Sequence, residues 1–266
     1  MKGRVLIVAG SDSGGGAGIQ ADLKAVTALS AYGATAITAL TAQNTRGVFG
    51  VHAVPPAFIA QQMELVLEDI GADAIKTGML HSAEVIEVVR GTLDRLAPGV
   101  PLVVDPVMVA KGGAALLERQ AEGALRERLV PRATLITPNL PEAEALLGAR
   151  IEGVDGMRRA AEALLRLGPG AVLLKGGHAE GETVVDVLRS AEGERIFEDA
   201  RIATRSTHGT GCTLASAIAA GLAQGLGLEE AVARARRYLR AAILSAPGLG
   251  SGHGPLDHAH TAQPFD

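Results

Sequence analysis

Apolar residues in this chain recur as short unbroken strings, such as Val5-Leu6-Ile7-Val8-Ala9, Leu102-Val103-Val104 and Ala171-Val172-Leu173-Leu174. A strand with one wet face alternates apolar and polar residues. A strand that is apolar at every position must be covered on both faces, as in a parallel sheet with helices above and below. Helical patterns stand between the strings, so the expected fold is α/β, three-layered α/β/α, with a mostly parallel sheet. Strands are expected at 4–9, 34–41, 74–77, 102–104, 135–137 and 171–174, and helices at 17–30, 56–69, 83–95, 114–129, 141–147, 155–167, 213–225 and 228–245. Residues 183–188 and 194–200 alternate instead, and Ser190-Ala191-Glu192-Gly193 joins them as a hairpin, which predicts an antiparallel edge. No linker, repeat or low-complexity tract divides residues 1–266, so one domain without a separate lid is expected. The Gly-, Pro- and His-rich stretch 248–266 reads as a loosely ordered tail lying on the body.

Composition removes several classes of function. A net charge of −4 with no Lys/Arg-rich run gives no general attraction to nucleic acid. No segment offers the roughly 20 apolar residues of a membrane span, and Asp12 with its glycines cuts the N-terminal apolar run short, which reads as a first strand rather than a signal peptide. The single cysteine excludes an internal disulfide and agrees with a reducing, cytoplasmic setting.

Ligands of open α/β sheets collect beyond the carboxyl ends of the strands. Those places carry Gly10-Ser11-Asp12-Ser13-Gly14-Gly15-Gly16-Ala17-Gly18, Ala42-Gln43-Asn44-Thr45, Gly78-Met79-Leu80, Asp105-Pro106-Val107-Met108, Pro138-Asn139-Leu140-Pro141-Glu142 and Lys175-Gly176-Gly177-His178. The last is Thr207-His208-Gly209-Thr210-Gly211-Cys212-Thr213, where two glycines flank a threonine just where a helix should begin. Unpaired N–H groups and the helix dipole converge there into an anion site. The same field is expected to lower the pKa of Cys212 on its rim; the plainer reading is a glycine loop before a core helix, with Cys212 a small buried hydrophobe. Asp105 ends a buried strand ahead of a proline, which holds its carboxylate at the sheet edge. Asn139 and Glu142 can together face a ligand or a hydrated Mg2+, or form an Asn version of the capping box. Lysine is confined to Lys2, Lys24, Lys76, Lys111 and Lys175, and Lys175, at a strand terminus before two glycines, suits a phosphate counter-charge. Gly16-x-Gly18-x-x-Ala21 has the spacing of a dinucleotide fingerprint, but Gln43 and Asn44 stand where its acidic residue belongs, and no Walker A loop is present. The histidines show no metal-ligand spacing: His258 and His260 read as part of a surface tail, and His208 as a residue that shapes its loop.

In this order, the motifs Ala9 to Ser13 with Gly15 to Asp22, Thr38 to Thr45, Lys76 to Leu80, Asp105 to Met108, Thr137 to Ala143, Leu174 to His178 and Thr207 to Thr213 closely resemble the hydroxymethylpyrimidine/phosphomethylpyrimidine kinases of thiamine biosynthesis, of the ribokinase-like superfamily. The resemblance implies phosphorylation, with ATP and Mg2+, of 4-amino-5-hydroxymethyl-2-methylpyrimidine and then of its monophosphate. It implies that Gln43 holds the ring in a pocket lined by Gly10, Asp22, Met79 and Val107. It places Asn139, Glu142, Lys175, Thr210 and Gly211 on ATP, and Asp105 and Glu142 near the metal. The loop from Gly209 to Cys212 would stabilise the phosphoryl group in transit, with Lys175 assisting. Cys212 stands where related sugar kinases carry an aspartate base, and either accepts a proton or positions the substrate. A small-molecule substrate, no nucleic acid, no membrane and a homodimer are implied. Pyridoxal kinase activity on the same fold is the rival reading, and an inactive nucleotide-sensing protein the non-enzymatic one.

Overall fold

The computed structural model describes residues 1–109, 113, 116–118, 120–179 and 181–262. Its strands are β1 (Arg4–Asp12), β2 (Tyr32–Asn44), β3 (Gly47–Ala53), β4 (Ala74–Thr77), β5 (Leu102–Val104), β6 (Leu135–Ile136), β7 (Ala171–Lys175), β8 (Thr183–Ser190) and β9 (Gly193–Ala200). They form one sheet in the order β3-β2-β1-β4-β5-β6-β7-β8-β9. From β2 to β7 every neighbouring pair is parallel. The pairs β2–β3, β7–β8 and β8–β9 are antiparallel.

The helices are α1 (Gly18–Ala28), α2 (Pro56–Asp69), α3 (Ala83–Leu96), α4 (Ala121–Ala124), α5 (Leu140–Leu147), α6 (Gly153–Leu165), α7 (Thr210–Ala223) and α8 (Leu228–Leu244). They cover the sheet on both sides. Leu6 and Val8 of β1 pack with Ile59, Met63, Ile86 and Leu93 of α2 and α3, whereas Val5 and Ile7 pack with Val26, Ile218 and Val232 of α1, α7 and α8. Successive residues of one strand thus enter opposite cores, which is why the apolar strings are unbroken. No described helix is long and apolar enough to cross a membrane.

Three expectations need correction. The hairpin at 183–200 forms an antiparallel edge as read, but the other edge is antiparallel too: β2 runs on to Asn44 and turns back as β3. In place of a helix over 114–129, the described residues form only α4 and a π-helical turn at Leu125–Leu129, with residues 114, 115 and 119 of that stretch outside the description. Residues 248–262 are no loose tail, and residues 263–266 of that expected tail lie outside the description. His253 N–H donates to the Thr45 carbonyl (2.7 Å), His208 N–H to the Gly254 carbonyl (3.1 Å) and Asp257 N–H to the Ala242 carbonyl (3.0 Å). His258 is buried, with Nε2 2.8 Å from Thr213 Oγ1 in the first turn of α7, and Tyr238 Oη donates to its carbonyl at 3.0 Å.

Burial, with the charge of Lys24, pushes the His258 imidazole down to about 4. Its folded value lies below the ordinary 6.5, so the unfolded chain takes up the proton first. The stability this group contributes is therefore full above pH 6.5 and is lost as pH falls from there to about 4. In thermal unfolding, His258→Gln is expected to flatten the decline of Tm across that window; a decline as steep as that of the unsubstituted protein would refute this.

Candidate active site

A cavity of about 630 Å³ opens at the carboxyl ends of β1, β4, β5 and β7. Strand β1 lies between β2 and β4, the point where the chain has built one half of the sheet and crosses to build the other. Such a reversal leaves a crevice that helices do not cover.

At one end of the cavity Asp12 organises the first loop. Its carboxylate accepts N–H bonds from Gly14 (2.8 Å), Gly16 (3.1 Å) and Ala17 (2.8 Å) and stands 2.8 Å from His208 Nε2. Burial alone would raise this carboxyl, but its hydrogen bonds from His208 and the loop hold it below the usual value. Across from it, the β2–β3 register shifts between Ala42 and Gln43, a bulge of the kind that re-aims a side chain. Ser13 Oγ accepts from Gln43 N–H and donates to its carbonyl, both at 2.9 Å, which fixes the backbone. The Gln43 carboxamide lies at the cavity wall, 3.1 Å from both Thr41 Oγ1 and His208 Nε2.

At the middle stands the N-terminus of α7. Gly209 has φ +81°, and a Cβ there would run into the Gly16 carbonyl, so glycine alone lets the helix begin against the first loop. The first closing bond of the helix is Thr213 N–H to the Gly209 carbonyl (2.9 Å). The N–H groups of Thr210, Gly211 and Cys212 precede it at the cavity wall. The expectation of an acidified thiol is wrong. Cys212 keeps some exposure to the cavity, but its sulfur lies deep, and desolvation pushes the thiol up to about 12 against the lowering charge of Lys76. A helix terminus contributes about 0.3–1 kcal/mol, less than the ~1.4 kcal/mol that a tenfold change in ionisation needs, whereas burial can exceed that several times.

Toward the other end, Lys175 Nζ donates to Asp105 Oδ1 (3.0 Å), which also accepts from Thr137 Oγ1 (3.1 Å). Burial works against the Lys175 charge, but Asp105 and Glu142 more than offset it and hold the ammonium above its ordinary value. Glu142 and Asn139 form the full capping box: Asn139 N–H donates to Glu142 Oε2 (2.8 Å) and Glu142 N–H to Asn139 Oδ1 (2.9 Å). Glu142 nevertheless lines the cavity. Desolvation, together with the like charge of Asp105 and against the opposing charge of Lys175, raises it to about 7.

Beyond these groups the cavity runs between β9 and α8, past Val184, Ile202, Leu239 and Ile243. Arg236 bridges Asp186 and Asp199, and Asp186 in turn accepts the Gly176 N–H (2.9 Å). Arg201 donates to the carbonyls of Gly177 (3.0 Å), Ala179 (2.6 Å) and Gly181 (2.7 Å), strapping the loop after β7.

Gly10, Gln43, Met79, Val107, Asp105, Asn139, Glu142, Lys175, Gly209, Thr210, Gly211 and Cys212 therefore all line one cavity. Asp22 does not. It is fully buried behind the wall, bound to Lys76 and Ser216. Sequence reasoning missed Lys76, Asp12, Arg201 and Arg236, and gave His208 only a loop-shaping part. The available signal for Lys76 was a lysine following Ala74 and Ile75 within a short expected strand.

The profile of the family described as phosphomethylpyrimidine kinase matches residues 12–257. The chain is 57% identical over 262 residues to the thiamine biosynthesis bifunctional protein ThiED of Geobacter sulfurreducens, covering 98% of this chain but about half, 53%, of that relative. It is 50% identical to the hydroxymethylpyrimidine/phosphomethylpyrimidine kinase of Streptomyces coelicolor, covering 96% of this chain and 93% of the relative. Among solved structures, the pyridoxal kinase of Staphylococcus aureus in complex with AMP-PCP and pyridoxal superposes with a TM-score of 0.89 at 33% identity, covering 99% of this chain and 96% of that one. With its cavity at the strand ends, the start of α7 in the wall of that cavity and this match over nearly its whole length, the chain belongs to the phosphomethylpyrimidine kinase family.

Proposed function

We propose that one domain, residues 1–266, transfers the γ-phosphoryl group of ATP to 4-amino-5-hydroxymethyl-2-methylpyrimidine and then to the resulting monophosphate. The observation that carries this reading is that Gln43 and the N-terminus of α7 share one cavity. A carboxamide offers a donor and an acceptor, which suits the edge of an aminopyrimidine. Beside it Met79 and Val107 supply apolar walls for a flat ring. The N–H groups of Thr210, Gly211 and Cys212 face the place where charge gathers on the phosphoryl group, and Lys175 adds a fixed cation. The apolar slot of Val184, Ile202, Leu239 and Ile243 suits the adenine base.

Asp105 and Glu142 fit a hydrated Mg2+. Among the described residues no three His, Cys, Asp or Glu side chains gather into a metal cage. Two carboxylates are what Mg2+ takes when waters and substrate phosphates complete its shell. The raised Glu142, pressed by burial and by Asp105, is a group that added positive charge would relieve. When bound, the ion supplies neutralisation of phosphate charge. Asn139 would hold Glu142 in place and help orient the phosphates.

Cys212 enters this reaction as a thiol, since desolvation disfavours the thiolate. It positions the acceptor hydroxyl rather than taking its proton, and a loose phosphoryl transition state needs no strong base. Pyridoxal is a second candidate acceptor, favoured by the close superposition on the S. aureus pyridoxal kinase. The β2–β3 arm and α2 leave Leu40, Phe49, Val51, Phe58 and Leu65 exposed, Phe49 to 72%. We assign this surface to a second copy of the chain, because it adjoins the open edge of β3. The cytoplasm, where ATP is supplied and a lone thiol stays reduced, is the compartment this reading entails.

Purified protein should convert the pyrimidine alcohol to mono- and then diphosphate in an ATP assay, with a higher kcat/KM than for pyridoxal; the reverse preference would favour the second acceptor. Cys212→Ala should slow the first transfer about tenfold, the worth of one hydrogen bond, and the second transfer less, with Cys212→Ser milder. Equal losses in both steps would remove that positioning role. In sedimentation, the unsubstituted protein should run at twice the chain mass and Phe49→Lys should shift it toward the monomer.

A further inference from the structure

Lys76 lies fully buried in the sheet, in a strand whose other members are Ala74, Ile75 and Thr77. Its ammonium is 2.8 Å from both oxygens of Asp22, and Asp22 Oδ1 also accepts from Ser216 Oγ (2.7 Å). A buried ion pair is a weak stabiliser, since desolvation of both charges offsets their attraction and apolar packing of the same volume is often as good or better. Stability alone gives little reason for the pair. The ammonium has a second setting. It borders the cavity beside Gly10, Gly78 and Cys212. A Cβ on residue 78 would stand 2.9 Å from Nζ, so only a glycine leaves room beside the nitrogen on that side. An ammonium carries three N–H bonds and the two Asp22 oxygens take two; no other acceptor among the described residues takes the third. A fixed, desolvated cation with a spare donor stabilises negative charge as it develops on an oxygen.

We propose that Lys76 is a catalytic residue on the acceptor side, its spare N–H holding the substrate oxygen that attacks phosphorus: the hydroxymethyl oxygen in the first transfer, a phosphate oxygen in the second. This rests on the kinase reading above. In the first transfer the bond from the acceptor oxygen to the γ-phosphorus forms as the bond from that phosphorus to the bridging oxygen breaks. ADP leaves with the electron pair, and the hydroxyl proton passes to an oxygen of the transferred phosphoryl group. Lys76 keeps its own protons, and Cys212 need not ionise. Lys175 then serves the phosphate-donor side and Lys76 the receiving side.

Lys76→Met combined with Asp22→Asn removes both charges together, so that no lone ion is buried. The folded double variant should bind ATP within about threefold of the unsubstituted protein by calorimetry, while its single-turnover rate falls about 100-fold or more, as for loss of one preorganised donor. Gly78→Ala leaves both charges present and crowds the nitrogen; it should lose about tenfold in rate at unchanged ATP affinity. Either folded variant turning over within about threefold of the unsubstituted protein, or ATP affinity falling in step with rate, would overturn the proposal. If the double variant does not fold, Gly78→Ala decides alone. An unsubstituted protein that phosphorylates neither the pyrimidine alcohol nor pyridoxal removes the kinase reading and this proposal with it; an active one with unaffected variants removes this proposal only.

Discussion

Helix α7 reaches the ends of the central strands because Gly209 has no side chain to hold it off the Gly16 carbonyl. That contact sets most of what surrounds it. It brings His208 onto Asp12, and Asp12 gathers the N–H groups of the first loop into one carboxylate. It sets Cys212 over Lys76 and Gly211 against Lys175 and Asp105, since a Cβ at Gly211 would lie 3.3 Å from Lys175 Nζ. A side chain at 209 would move the helix and every one of these neighbours with it.

Desolvation decides the protonation pattern around the cavity. It keeps Cys212 a thiol and raises Glu142, while the two lysines stay charged because each faces a carboxylate at 2.8 or 3.0 Å. The dipole of α7 is the weaker influence, although it is the one a glycine-rich sequence advertises. Charge is therefore held on fixed ammonium and backbone donors rather than on a titrating thiol, which suits a reaction whose demand is to steady negative oxygens.

The parallel core was legible because Val5 to Ala9 and Ala171 to Leu174 are apolar at every position, and only two-sided burial asks for that. The strand-end loops followed from the same reading. Strand β3 was not legible: Gly47 and Gly50 interrupt Val48, Phe49 and Val51, and its residues are largely exposed, so no alternation marks it. The stretch from 248 to 262 was misread because composition reports glycine and proline but not the carbonyl and hydroxyl partners that tie it down. Asn139 and Glu142 were weighed as cap or as ligand; the structure shows the capping box, and the box leaves Glu142 at the cavity wall. Lys76 stayed hidden since its meaning depends on Asp22, 54 positions away.

The pairs His208–Asp12 and Ser216–Asp22 join residues 196 and 194 positions apart. Closing loops of that length is slow relative to forming neighbouring strands and helices, because the entropy of the whole intervening chain is lost before the contact returns anything. The cavity wall is complete only in molecules whose first strand and seventh helix have met. A ligand that fills the cavity stabilises only the molecules in which that meeting has occurred, so ligand occupancy and folding are linked equilibria.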